Sequence, residues 1–275
     1  MNADHPMYGI AAEPGVHKPD PVLVANDLQR SFGGLAAVDV KHLEIQRHTV
    51  TSLIGPNGAG KTTLFNLLTG FDAPDFGQWH LNGGALVGIA AFQVARRGMV
   101  RTFQLTRSLA RLTVMENMLV AAKNNKGEGL WGALAGGWHD TEDANEARAS
   151  ELLERFGLDH MTDEFAGGLS GGQRKLLEMA RALMMEPEVV MLDEPMAGVN
   201  PALTQSLLRH ITGLRDSGKT VIFVEHDMDV VQEISDWVVV LAEGRVIAEG
   251  PPEAIAKNRA VIDAYLGEDH GEAAS

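Results

Sequence analysis

Gly55-Pro56-Asn57-Gly58-Ala59-Gly60-Lys61-Thr62 sets three glycines, a lysine and a hydroxyl at the spacing that wraps backbone N–H groups around phosphate oxygens. Lys61 is expected to reach the β- and γ-phosphates, Thr62 to ligate Mg²⁺, and Thr63 to extend the nucleotide contacts. The apolar run Val50–Ile54 ahead of it reads as a strand, and a helix from Gly60 to about Gly70 would add roughly half a positive charge at its N-terminus. A chance glycine-rich turn does not explain that strand-before, helix-after context. Val189-Val190-Met191-Leu192-Asp193-Glu194 then supplies two acids at the carboxyl end of an apolar strand, where ligands collect in open α/β sheets. Asp193 is placed to hold Mg²⁺. Glu194, expected on the opposite side of the strand, is the candidate base for an attacking water. Alone, such a pair also reads as the solvated end of a strand.

Leu169-Ser170-Gly171-Gly172-Gln173 opens a helix running through Leu177 and Ala180 to Met184. Ser170 suits an N-cap, but two glycines exceed what a cap requires. They would leave backbone amides uncovered at a positive helix end, as a γ-phosphate prefers. On these residues the sequence resembles the ABC-transporter ATPase family, whose signature is this pentapeptide ahead of the Asp193-Glu194 pair. The resemblance covers about residues 22–267. It implies that Gln104 contacts Mg²⁺ and the water and senses the membrane partner, that His226 contacts the γ-phosphate, and that Phe32 stacks on adenine. Phe32 stands where Tyr is commoner, keeping the stack without the hydroxyl. Asn200 ends a segment that in many relatives ends in Asp.

The same resemblance implies a head-to-tail pair of cassettes, each ATP lying between the phosphate loop of one and Ser170–Gln173 of the other. The second ATPase subunit is the same or a different chain. Two membrane permeases complete the transporter, and a substrate-binding protein serves it indirectly. The expected place is cytoplasmic, peripheral on the inner face of the cell membrane, with no direct contact to cargo. Arg101-Thr102-Phe103-Gln104, Glu225-His226-Asp227-Met228 and Ala264-Tyr265-Leu266-Gly267-Glu268 resemble the longer ATPase subunit of high-affinity branched-chain amino acid importers. Urea and amide importers and the lipopolysaccharide exporter are the alternatives within transport. A soluble, non-transport ABC ATPase is the alternative outside it.

To position these residues the chain needs alternating strands and helices. Strands are expected at Val22–Leu28, Val38–Ile45, Gln78–Leu81, Thr220–Val224 and Trp237–Leu241, and helices at Pro201–Leu214 and Met228–Ile234. Thr113 with Glu116 forms a capping box, and Asn200-Pro201 is a cap followed by proline at the first helical position. The expected fold is α/β: a P-loop NTPase with a mostly parallel sheet, an antiparallel N-terminal β region and an inserted helical subdomain at about 105–186. The domain would span 21–268, between a loose leader (1–20) and a flexible tail (269–275). Leu105, Leu109 and Leu112 are expected on one side of a short helix, buried in the subunit's own core or, as the resemblance implies for this region, bordering the groove that receives a permease helix; Gly127–Gly137 is expected as an irregular connection.

The chain of 275 residues carries 37 acids against 23 bases, a net charge of −14 that argues against nucleic-acid binding. Without cysteine it has no disulfides or thiolate metal sites. No stretch approaches the ~18 apolar residues of a membrane span, so membrane work requires partners.

Overall fold

Strand β1 (Pro21–Phe32) turns at Gly33 and Gly34, both at positive φ, into antiparallel β2 (Leu35–Gln46). The computed structural model describes residues 5–102, 109–123 and 138–269. Strands β4 (Phe76–Leu81) and β5 (Gly84–Ala85) extend this hairpin into a sheet of order β2-β1-β4-β5. A second sheet contains β3 (Val50–Ile54), β6 (Met99–Arg101), β7 (Val189–Asp193), β8 (Thr220–Val224), β9 (Trp237–Ala242) and β10 (Arg245–Gly250). Its order is β10-β9-β3-β8-β7-β6, all parallel except the edge strand β10.

The central strands are buried on both faces and therefore mostly apolar, with Thr51 and Ser52 of β3 and Thr220 of β8 as buried hydroxyls. Val190, Leu192, Val221 and Phe223 point into one core with the helices, while Val189, Met191, Ile222 and Val224 point into another shared with the N-terminal sheet. The expected α/β arrangement is therefore present, with an antiparallel region laid against one face of a mostly parallel sheet. Helix α1 (Lys61–Leu68) follows β3, α2 (Ala91–Arg96) precedes β6, and α3 (Val114–Val120), α4 (Trp138–Arg155) and α5 (Gly171–Leu183) fall between β6 and β7. After β7 come α6 (Pro201–Asp216), α7 (Met228–Ile234), α8 (Pro252–Ile255) and α9 (Arg259–Asp269). The caps read from sequence form. Thr113 accepts from the Glu116 amide at 3.1 Å while Glu116 accepts from the Thr113 amide at 2.7 Å, and Asn200 accepts from the Leu203 amide at 3.0 Å.

Three expectations are corrected or curtailed. Leu109 lies in a single 3₁₀ turn, Leu109–Arg111, not in a continuous apolar-sided helix; Leu105 lies outside the described residues, as does Gly127–Gly137. Helix α9 carries order to Asp269, so of the tail only 270–275 fall outside the described residues. The leader is not loose over residues 5–20. Met7 is buried in the N-terminal core, with Ile10 and Val16 packed on it. The fully buried Glu249 on β10 accepts from the amides of Gly15 (2.6 Å) and Val16 (3.2 Å), from Lys18 Nζ (2.6 Å) and from Trp237 Nε1 (2.8 Å). Burial pulls the Lys18 ammonium below the usual lysine range against the opposing pull of Glu249. A buried charge persists only with partners, and here each supplies the other's.

Candidate functional site

Strand β3 delivers the glycine-rich loop to the carboxyl edge of the sheet. A Cβ at Gly55 would run into the carbonyl oxygen of Leu241 on β9, and one at Gly60 into that of Ala37 on β2. The Gly244 amide donates to the Ala59 carbonyl at 3.0 Å, so the β9–β10 turn clasps the loop from one side. Gly60, at φ 97°, is the N-cap of α1 and brings no side chain to the first-turn amides. The loop thus ends at a helix start that no N-cap side chain covers, an arrangement that accepts an anion. Lys61 Nζ folds back onto its own loop, donating to the carbonyls of Gly55 (2.5 Å) and Pro56 (2.7 Å).

A cleft of about 340 Å³ lies beside the loop, lined by Thr62, Arg101, Thr102, Lys175, Asp193, Glu194 and others. Thr62 and both acids therefore meet, as the spacing implied. Glu194 does not simply face the opposite side of its strand. The strand ends at Asp193, and Glu194 takes φ 43°, a left-handed conformation uncommon for a non-glycine residue. That turn brings its exposed side chain to the same cleft as Asp193. Its backbone is pinned by the Glu194 amide to the Val224 carbonyl at 3.1 Å and by Lys175 Nζ to the Glu194 carbonyl at 3.3 Å.

Two residues given no site role from the sequence take part. Arg101, at the end of β6, donates to Asp193 Oδ2 at 2.6 Å and to Asn66 Oδ1 of α1 at 2.6 Å, tying the acid to the helix that follows the phosphate loop. Glu225 is buried at the end of β8 and accepts from the amides of Met196 (3.1 Å) and His226 (3.3 Å). Burial pushes its carboxyl above the usual range, those amides oppose it, and the Glu194 charge adds to the rise. It fixes two pieces of backbone, the segment after Glu194 and His226, whose exposed imidazole is not among the residues lining the cleft.

Ser170 realises its capping role, accepting from the Gln173 amide at 3.3 Å while Gln173 accepts from the Ser170 amide at 2.9 Å. Gly172 is buried, and a Cβ there would collide with Leu203 of α6, so its glycine serves close packing; Gly171 is exposed. None of Ser170–Gln173 lines the cleft. Phe32, half-exposed at the tip of the β1–β2 hairpin, carries the Arg30 guanidinium 4.8 Å from its ring centre. Gln104 lies outside the described residues.

Residues 38–197 match the family model described as ABC transporter, and residues 245–271 that described as branched-chain amino acid ATP-binding cassette transporter. The chain is 44% identical to the high-affinity branched-chain amino acid transport ATP-binding protein LivG of Escherichia coli (strain K12), over 90% of this chain and 98% of that one. It is 42% identical to its counterpart BraF of Pseudomonas aeruginosa, with the same coverage. Among solved structures it resembles a nucleotide-free ATP-binding cassette from an ABC transporter, with a TM-score of 0.79 and 33% identity over 89% of this chain and 98% of that one. A cassette in its ADP conformation matches with a TM-score of 0.79 and 32% identity, covering 90% and 99%.

Proposed function

Because the chain belongs to the ABC transporter ATPase family, whose members couple ATP hydrolysis to transport, we propose that it powers uptake of branched-chain amino acids through two permease partners at the inner face of the cell membrane. The observation that carries the cargo assignment is the near full-length match to LivG and BraF, joined by the second family match at 245–271. The net charge of −14 argues against a nucleic-acid role for the chain. Among the described residues no helix is long and apolar enough to cross a membrane, consistent with attachment through partners.

In this reading the phosphates of ATP lie in the Gly55–Thr62 loop and the adenine against Phe32. Lys61 exchanges its two loop carbonyls for phosphate oxygens. Mg²⁺ fits the hard oxygen donors of Thr62 and Asp193, which share one cleft, and when bound it would neutralise charge on the β- and γ-phosphates. Glu194 takes the proton of the water that attacks the γ-phosphorus as the bridging oxygen leaves on ADP, and Gln104 and His226 orient the γ-phosphate and that water. Ser170–Gln173 lie outside this cleft, which supports their acting on ATP held by a second cassette facing head to tail.

Two outcomes test the reading. In proteoliposomes carrying the chain with its permeases, binding protein loaded with leucine, isoleucine or valine is expected to raise phosphate release several-fold. Stimulation only by urea or amides would move the cargo while leaving the ATPase intact. Arg101→Met removes a cation from beside Asp193, and the Mg²⁺ concentration giving half-maximal binding of a fluorescent ATP analogue is expected to fall about three- to tenfold, the equivalent of ~0.7–1.4 kcal/mol. A raised requirement would instead make Arg101 the group that holds Asp193 in place.

A further inference from the structure

On the far side of the N-terminal sheet, His17 of the leader meets two residues of β2 that share one face, His42 and Glu44. His17 Nδ1 lies 2.8 Å and His42 Nε2 3.0 Å from the same oxygen, Glu44 Oε1. The other Glu44 oxygen accepts from the Lys18 amide at 2.6 Å, so the carboxylate, 5% exposed, is held in place. His42 Nδ1 lies 2.6 Å from Asn26 Oδ1, its cross-strand neighbour on β1.

An amide oxygen only accepts, so His42 donates its Nδ1 proton to Asn26. A neutral ring then turns the bare Nε2 lone pair toward a carboxylate oxygen, two acceptors 3.0 Å apart. A metal ion placed between them would engage both lone pairs. We propose that His17 Nδ1, His42 Nε2 and Glu44 Oε1 form a binding site for a borderline divalent transition cation of the Zn²⁺ class.

The three ligand atoms lie within 4.8 Å of one another. Zn–N and Zn–O bonds of about 2.0–2.2 Å in a tetrahedron require edges of about 3.3 Å. The two edges to Glu44 already lie near that length. The third would close by rotation of the His17 ring, whose side chain is 83% exposed and whose centre lies 4.8 Å from that of His42. The Asn26 contact is the outer hydrogen bond that characteristically fixes the tautomer of a metal-bound histidine. His42 also lines an open cleft of about 520 Å³ with Pro14, Gly15, Asp39, Lys41 and Arg245, which would admit water to the fourth position. Two imidazoles select against Mg²⁺ and Ca²⁺, so the site is chemically separate from the all-oxygen donors at Thr62 and Asp193. A bound cation joins the leader to β2, adding to the Glu249 contacts and to His5 Nε2, which lies 3.0 Å from Asp236 Oδ1 ahead of β9.

The test uses the full chain with millimolar Mg²⁺ present and Co²⁺ as spectroscopic probe, followed by Zn²⁺ in competition with a chromophoric chelator. One equivalent of Co²⁺ with tetrahedral d–d absorbance is expected, displaced by Zn²⁺. His17→Gln, at an exposed position, and His42→Gln are each expected to weaken Zn²⁺ binding at least about tenfold. Unchanged affinity in both variants, or no stoichiometric binding by the unaltered chain, would overturn the site.

Discussion

Glu194→Gln is expected to slow ATP hydrolysis by roughly 10²–10⁴ while leaving ATP binding intact. The amide matches the carboxylate in size, so the left-handed turn at φ 43° and the backbone contacts to Val224 and Lys175 are kept. Only the capacity to take a proton is lost. With hydrolysis blocked, two cassettes should stay closed around ATP, seen as an ATP-dependent dimer by size exclusion, whereas phosphate release from the assembled transporter gives the rate. Near-normal turnover would remove Glu194 from the role of base and leave Asp193 and His226 as the groups to test next.

The second large effect comes from two neighbouring glycines that respond differently to the same change. Gly58 and Gly60 both have positive φ, 73° and 97°. A Cβ at Gly58 meets open space, so alanine there adds only the left-handed penalty of about 1–2 kcal/mol. A Cβ at Gly60 meets the Ala37 carbonyl, and neither the β2 backbone nor the loop can yield without moving the amides that cradle phosphate. Gly60→Ala is therefore expected to weaken nucleotide binding at least about a hundredfold, ~2.7 kcal/mol, and Gly58→Ala clearly less. Isothermal titration with ATP on both variants decides it. Equal losses would mean that the shared φ, not the fit against β2, dominates.

The loop, the acid pair and the caps were legible in sequence because each is local: a few residues at fixed spacing carry both the conformation and the chemistry. Strands β3, β7, β8 and β9 were legible because burial on both faces makes them predominantly apolar, with few polar interruptions such as Thr51 and Ser52. β6 was not, since three residues are too few to show a period and it exists through its pairing with β7. β10, half-exposed at an edge, has a mixed composition that fits no single pattern. Arg101 could be read as a mark of resemblance but not as the partner of Asp193, because that pairing spans 92 residues. The turn at Glu194 was missed for another reason: alternation along a strand predicts opposite faces, and a left-handed residue at the strand end cancels it. Gly172 belongs to the signature on sequence grounds, while its packing against Leu203 became visible only once α5 and α6 were side by side.

The leader's attachment also sets an order of events during synthesis. His5 finds Asp236 across 231 residues, and the Gly15 amide finds Glu249 across 234. At about 5–20 residues per second, the first segment made waits roughly ten to fifty seconds for β9 and β10 to emerge. Until then the Lys18 ammonium lacks its Glu249 partner. Closure of the amino-terminal segment over β10 is thus a late step that reports completion of the sheet: a ribosome-bound chain arrested before Glu249 should leave residues 5–20 open to protease, and the released chain should shield them.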